Sequence, residues 1–377
     1  MKYIKNGRII LPDGELTGKV LVFSGKIVDL IDENQIGQYG FGDVIDAEGD
    51  IVSPGLIDIH IHGYMGEDAS DGSVEGLEKM SRELAKNGVT AFLPTTMTVS
   101  KQELESAFDS IRQLKDKEIG GACIIGVNAE GPYIAESRKG AQKADNILDP
   151  DAKFILENKD IIKITTVAPE RDGAKEMIEE IKANSDIIVS IGHSDADFEQ
   201  TKASFGYGVS HATHLFNAMN GLHHRKPGAV GAILSNDGVS CELIADMFHV
   251  DKGLYNLLYK AKANDLVLIT DCTRAGGLPA GEYDLGGQKI IADDVVCRLE
   301  DGTVAGSILK LNKGVYNFRE NTGLADWEVI KLASYNQAKI LKDETRGSLE
   351  KGKRADITLF DDKYNVKRVF VGGKEIK

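Results

Sequence analysis

The sequence is short of positive charge: 45 Lys and Arg stand against 59 Asp and Glu, a formal net charge of −14. A nucleic-acid or anionic-membrane surface needs a basic patch, so neither partner is expected; a small anionic substrate held by a few local cations remains open. No uninterrupted apolar run of about 20 residues is present to span a membrane. The opening Met1-Lys2-Tyr3-Ile4-Lys5-Asn6-Gly7 lacks the apolar stretch of a signal peptide. Cysteines are few: Cys123, Cys241, Cys272 and Cys297 have no finger-like spacing, and three lie in or beside apolar runs. They read as small core side chains in a reducing compartment, and a cytoplasmic protein is expected. With 377 residues, 42% of them hydrophobic, the chain can fill one barrel-sized domain and a smaller attachment.

What is present is a series of five short apolar runs, each ending on a residue able to bind a metal. Leu56-Ile57-Asp58-Ile59-His60-Ile61-His62 comes first, and the run from Cys123 closes on Glu130. Ile187 to His193 is third, Val209 to His214 fourth, and Leu266 to Asp271 last. Runs this short and apolar, bounded by turn residues, read as buried strands. Val89–Thr96, Ile161–Ala168 and Ser240–Asp246 supply three more, alternating with helix-period stretches such as Val74–Ala85. The pattern predicts an α/β fold, a parallel eight-stranded TIM-like barrel over residues 54–344. A doubly wound open sheet is the rival, but no Gly-rich phosphate turn follows the first central strand. Gly286-Gly287, Asp293-Asp294 and Asp301-Gly302 mark an inserted β-hairpin near 282–304. Residues 1–53 and 345–377 instead carry short alternating segments, split near the start by Gly7, Pro12-Asp13-Gly14 and Ser24-Gly25. These are hairpin signals, and the two ends are expected to pair into a small β-sandwich domain.

In a parallel barrel all strand C-termini open onto one mouth, so the five terminal residues would surround a single point. His60 and His62, two apart, point to the same side of a strand. Alone they could be a pair of satisfied core histidines. Glu130, His193 and His214 change the balance, because an unpaired buried carboxylate is costly. Glu130 could bridge two cations, or complete one site with His193 and His214. A carboxylated lysine could bridge instead, but Lys163 lies at the start of its strand, away from the mouth. Zinc or ferrous iron suits His and carboxylate donors. Asp271, at the end of the last strand, is placed to move protons beside such a site. His249, just past the seventh strand, is read as a substrate contact, and His211 as a core or supporting residue. The cationic run His223-His224-Arg225-Lys226 adjoins the mouth and is read as anion-binding.

The sequence resembles the N-acetylglucosamine-6-phosphate deacetylases of the amidohydrolase superfamily over nearly its whole length. The resemblance rests on Pro54 to Gly63, Glu130-Gly131-Pro132-Tyr133, Gly192-His193-Ser194-Asp195-Ala196 and Ala212 to Met219. His224-Arg225-Lys226-Pro227-Gly228, Ile269-Thr270-Asp271 and Asp301 to Ser307 extend it. It implies removal of acetate from a phosphorylated amino sugar, with Glu130, His193 and His214 on the principal metal and Asp271 as acid–base. Retention of His60 and His62 makes a second metal possible, hence one or two per chain. Asn217 and Ala218 fall where the family binds substrate, His249 where it contacts the sugar, and Arg225, beside His224, where it binds phosphate. The family further implies a homodimer in which this arginine reaches the neighbouring site. Three departures are visible. Gln142 stands where many members have a substrate-contacting histidine, which alters the sugar contact. Met247-Phe248 replaces a common Gly-Ile, which is expected to narrow the pocket. Arg274 adds a cation near Asp271. The galacto epimer is therefore the alternative substrate. A different amidohydrolase activity and a non-catalytic sugar-phosphate-binding barrel are the other rivals.

Overall fold

Eight parallel strands follow one another in chain order around a barrel: Leu56–Ile61, Val89–Thr96, Val127–Glu130, Ile162–Val167, Ile188–Ile191, Val209–Ala212, Ser240–Ile244 and Leu266–Ile269. The structure, a computed structural model, describes residues 1–377. The third strand is preceded by a separate piece, Cys123–Ile124, which also pairs with the second strand. Gly126 breaks the two at φ 150°, and a Cβ there would meet the Lys163 side chain at 2.5 Å and the Ile161 carbonyl at 2.7 Å. The predicted continuous run from Cys123 to Glu130 is thus interrupted where backbone and neighbour come too close for a side chain.

The last strand meets the first without a full ladder. Asp271 N–H donates to the His60 carbonyl and His62 N–H to the Cys272 carbonyl, both at 2.9 Å. Below them the buried Asp58 carboxylate accepts from Thr270 Oγ1 at 2.7 Å, tying the first strand to the eighth. Helices surround the barrel because their apolar residues recur at helical spacing. Leu104, Ala107, Phe108, Ile111 and Leu114 of Lys101–Leu114 are all buried, and the helix starts on a Ser100/Glu103 capping box that satisfies otherwise free N–H groups.

Both termini build a β-sandwich. One sheet orders Ile27–Ile31, Val20–Phe23, Lys2–Lys5 and Asp43–Asp46; the other runs Lys374–Ile376, Val366–Val371, Ile357–Phe360, Ile51–Pro54, Arg8–Leu11 and Gly14–Leu16. Ile4, Leu21, Phe23, Val52, Ile357 and Phe370 share its core. Ile51–Pro54 passes straight into the first barrel strand through Gly55, where a Cβ would strike Thr90 at 2.1 Å. The insertion after the eighth strand is larger than a hairpin: Gly281–Leu285, Gln288–Ala292, Val296–Leu299 and Val304–Ser307 form a four-stranded antiparallel sheet. Each of the three Gly/Asp breaks in the sequence is a turn between adjacent strands. No helix is long and apolar enough to cross a membrane.

Candidate metal centre

Glu130 closes the third strand and lies at the centre of the mouth. Its Oε1 is 2.9 Å from His214 Nε2, 3.2 Å from His193 Nε2 and 3.4 Å from His60 Nε2. Its Oε2 is 3.2 Å from His62 Nε2. Asp271 Oδ1 stands 3.2 Å from His62 Nε2 and 3.5 Å from His60 Nε2. His193, His214 and Asp271 lie two residues beyond their strands, at φ values of 46°, 27° and 50°. L-residues rarely adopt that region, and such strain persists only where the surroundings over-determine it, commonly at functional sites. Those left-handed turns bring three side chains from the sequence-predicted runs to one point.

Three of the four imidazoles are oriented from behind, while His214 Nδ1 is buried without a hydrogen-bond partner. His60 Nδ1 donates to Glu242 Oε2 at 2.8 Å, His62 Nδ1 to the Thr95 carbonyl at 3.0 Å, and His193 Nδ1 to the Arg138 carbonyl at 2.8 Å. Protonation at Nδ1 leaves each Nε2 as a lone pair aimed at the centre, the arrangement that metal-binding histidines use. Two facts fit a cation. His60 Nε2 is buried with no hydrogen bond, and the Nε2 atoms of His193 and His214 face each other at 3.1 Å. Two groups each bring three ligand atoms within 4.8 Å of one another: His60, His62 and Glu130, and Glu130, His193 and His214. Glu130 belongs to both.

Electrostatics point the same way. Burial opposes charge on His60, but Glu242 and Glu130 outweigh it and lift the imidazole to about 9; burial likewise opposes His62, which Asp271 and Glu130 hold well above its ordinary value. Burial opposes ionisation of Glu130 and Asp271, yet the surrounding imidazoles keep both carboxyls below their usual range. Unfilled, such a cluster must carry protons where divalent cations could neutralise it.

The centre opens into a cavity of about 330 Å³ lined by His62, Glu130, Arg138, Gln142, His193, His214, Asn217, Ala218, His249 and Asp271, with Leu285, Thr303, Val304 and Gly306 from the inserted region. The predicted residues Asn217, Ala218 and His249 therefore face the same space as the ligand set. His249 is fixed by Asp246, whose Oδ2 accepts from Nδ1 at 2.6 Å. Gln142 reaches the cavity, but its amide is engaged: Nε2 donates to Glu130 Oε2 at 2.6 Å and Oε1 accepts from Thr98 N–H at 2.7 Å. It braces the central carboxylate.

His224 and Arg225 do not line this cavity; both are exposed, and Arg225 forms no ion pair within the chain. Met247 and Phe248 lie outside it as well, 44% and 39% exposed, so they do not narrow it. Arg274 leaves Asp271 alone: its guanidinium pairs with Asp71 at 2.7 Å and sits near Asp68 and Asp284. Neighbouring carboxylates on the mouth loop and the inserted sheet draw it away.

Sequence reasoning missed Glu242 and Asp58. Both are wholly buried charges inside apolar strands, Ser240–Ile244 and Leu56–Ile61. A carboxylate in an apolar run needs a partner, and by that signal both residues stand with Glu130. Glu242 accepts from His60, from His214 N–H at 3.0 Å and from His211 Nε2 at 3.2 Å. Burial pushes Asp58 up to about 7.

Residues 51–376 match the model of the amidohydrolase family. The N-acetylglucosamine-6-phosphate deacetylase of Bacillus subtilis is 41% identical over 318 residues, 82% of this chain and 80% of that protein. The N-acetylgalactosamine-6-phosphate deacetylase of Escherichia coli O157:H7 is 34% identical over 337 residues, 88% of this chain and 89% of that protein. Among solved structures, a mutant N-acetyl-D-glucosamine-6-phosphate deacetylase from Mycobacterium smegmatis, in complex with N-acetyl-D-glucosamine-6-phosphate, superposes with a TM-score of 0.91 at 26% identity, covering 100% of this chain and 99% of that one. With its eight-stranded barrel, its terminal sandwich and a match spanning both, this chain belongs to the amidohydrolase family.

Proposed function

We propose that the protein hydrolyses the acetamide of N-acetylglucosamine 6-phosphate to acetate and glucosamine 6-phosphate, as a metal-dependent deacetylase of amino-sugar metabolism. One observation carries the reading: in a chain 41% identical to such a deacetylase, four Nε2 atoms and two carboxylates converge at the floor of one cavity. Glu130, His193 and His214 would hold the principal cation, zinc or ferrous iron, with His60 and His62 sharing Glu130 for a second. When bound, a cation supplies Lewis acidity to the acetyl carbonyl and lowers the pKa of water.

The chain's own groups do the rest. Asp271 takes the proton of the attacking water and returns it to the departing amine, which without it is a poor leaving group. Asn217, the Ala218 backbone and His249 orient the sugar along the cavity wall. Gln142 holds Glu130 in register. Arg225 and His224, exposed and outside their own cavity, serve as phosphate contacts to the site of a second copy, which makes the enzyme a homodimer. A separate groove beside them, formed by Phe198, Leu222, Pro227 and Leu257, offers apolar surface for that contact. The four cysteines are unpaired, which supports a cytoplasmic location.

The galacto epimer is a second reading, favoured by the E. coli relative that is 34% identical. A silent sugar-phosphate-binding barrel is disfavoured by Asp271, which binding alone does not require. Acetate release from both phosphorylated epimers, before and after chelation and with zinc or ferrous ion restored, tests the proposal. Full activity in protein shown by elemental analysis to be metal-free refutes it.

A further inference from the structure

The seventh strand contributes no ligand to either group, yet it sends a carboxylate into the barrel. Cys241 and Leu243 face the helices, while Glu242 and Ile244 alternate to the interior. An apolar side chain would fill that position without the cost of a buried charge. Glu242 instead accepts three hydrogen bonds, and two join the halves of the centre. Its Oε2 takes the Nδ1 proton of His60, in one group, at 2.8 Å, and the main-chain N–H of His214, in the other, at 3.0 Å. Oε1 takes His211 Nε2 at 3.2 Å, and His211 Nδ1 accepts from Ser240 Oγ at 2.6 Å. The two groups use the carboxylate differently. His214 needs it only to fix a backbone turn, whereas the ligand nitrogen of His60 depends on it directly, because the proton on Nδ1 is what leaves Nε2 free.

We propose that Glu242 is the positioning residue that makes the His60–His62 side of the centre a cation site, by holding His60 in the tautomer that turns Nε2 toward Glu130 and Asp271. This rests on the metal reading above. The two are separable, because zinc binding to the unsubstituted protein tests the metal reading, and the ratio between two zinc sites in variants tests the inference.

The experiment titrates metal-stripped full-length protein with zinc and counts bound zinc by equilibrium dialysis and elemental analysis. The unsubstituted protein should bind two per chain. Glu242→Gln keeps an acceptor and drops the charge, and Glu242→Ala removes both. Loss of a partner behind a ligand costs about 10- to 100-fold in metal affinity. The second zinc should weaken by about tenfold in the first variant and toward 100-fold in the second, with the first zinc little changed. Nitrogen-15 histidine spectra of the zinc-loaded protein should show His60 protonated at Nδ1 alone in the unsubstituted protein and released from that tautomer in Glu242→Ala. In a His60→Gln background, Glu242→Gln should change zinc affinity no further. If Glu242→Ala does not fold, Glu242→Gln alone decides. A single zinc in the unsubstituted protein, two zinc ions of undiminished affinity in Glu242→Gln, or equal weakening of both sites overturns the proposal.

Discussion

Asp271→Asn isolates proton transfer from everything else the residue does. The backbone there is left-handed, at φ 50°, and asparagine tolerates that region better than most residues, so the turn should survive. The main-chain bonds that tie Asp271 to the first strand and to the inserted sheet, Asp271 N–H to the His60 carbonyl and Ser307 N–H to the Asp271 carbonyl, do not involve the side chain. What disappears is the anionic oxygen 3.2 Å from His62 Nε2. The only other carboxylate lining the cavity is Glu130, whose oxygens already face Gln142 and four imidazoles. No second free carboxylate is at hand, and His249 is the one lining imidazole outside the two candidate ligand groups. General acid–base catalysis contributes about 10²- to 10⁴-fold, roughly 2.7–5.4 kcal/mol at about 1.36 kcal/mol per factor of ten. The loss in kcat is expected in the upper half of that range, with KM little changed, because the group acts on the reacting water and amine. Acetate release gives the rate, and thermal melting with elemental analysis checks fold and metal content. A folded variant of equal metal content that turns over at near the original kcat refutes the reasoning.

Replacing His60 with Asn and His62 with Gln should lower metal content toward one per chain while some activity survives on Glu130, His193 and His214; an unchanged count and rate would reduce the pair to packing. Arg225→Ala should cost about 1.5–3 kcal/mol, the worth of a hydrogen bond to a charged group, chiefly in KM and only for phosphorylated substrate. Mixing Arg225→Ala with Asp271→Asn chains should restore one working site per heterodimer; equal losses on phosphorylated and unphosphorylated sugar would remove Arg225 from phosphate recognition. Metal affinity should rise with pH from neutrality to about 9, since in the metal-free chain His60 titrates near 9 and His62 well above its usual value, and a cation must displace those protons. By the same linkage the metal-free fold holds its full His60 contribution below pH 6.5, the unfolded value, and loses it as pH rises through about 9. Melting temperatures of metal-free and metal-loaded protein across that window should diverge, and parallel curves would contradict the assignment.

Fold class and most of the residues that meet at the candidate centre were legible because burial writes itself into sequence. An apolar run ending in His, Glu or Asp at a strand terminus is a costly pattern without a shared partner, and Glu130, His193, His214 and Asp271 carried that signal. The two-residue spacing of His60 and His62 carried another. Period-two and period-3.6 patterns separated the terminal sandwich from the barrel, although the insertion grew from one hairpin to four strands because each turn was legible while the pairing was not. What the sequence left open are quantities set by neighbours distant along the chain. Gln142 lines the cavity, but only the fold shows its amide aimed at Glu130, and Arg274 reads as a cation beside Asp271 until Asp71, Asp68 and Asp284 draw it off. Met247 and Phe248, expected from sequence to narrow the cavity, do not border it. Glu242 gained its partners only when strands one, six and seven closed around it. Local pattern determines which residues are buried and in what element; which buried groups meet, and so which atom faces a ligand, is fixed by long-range packing that no single segment encodes.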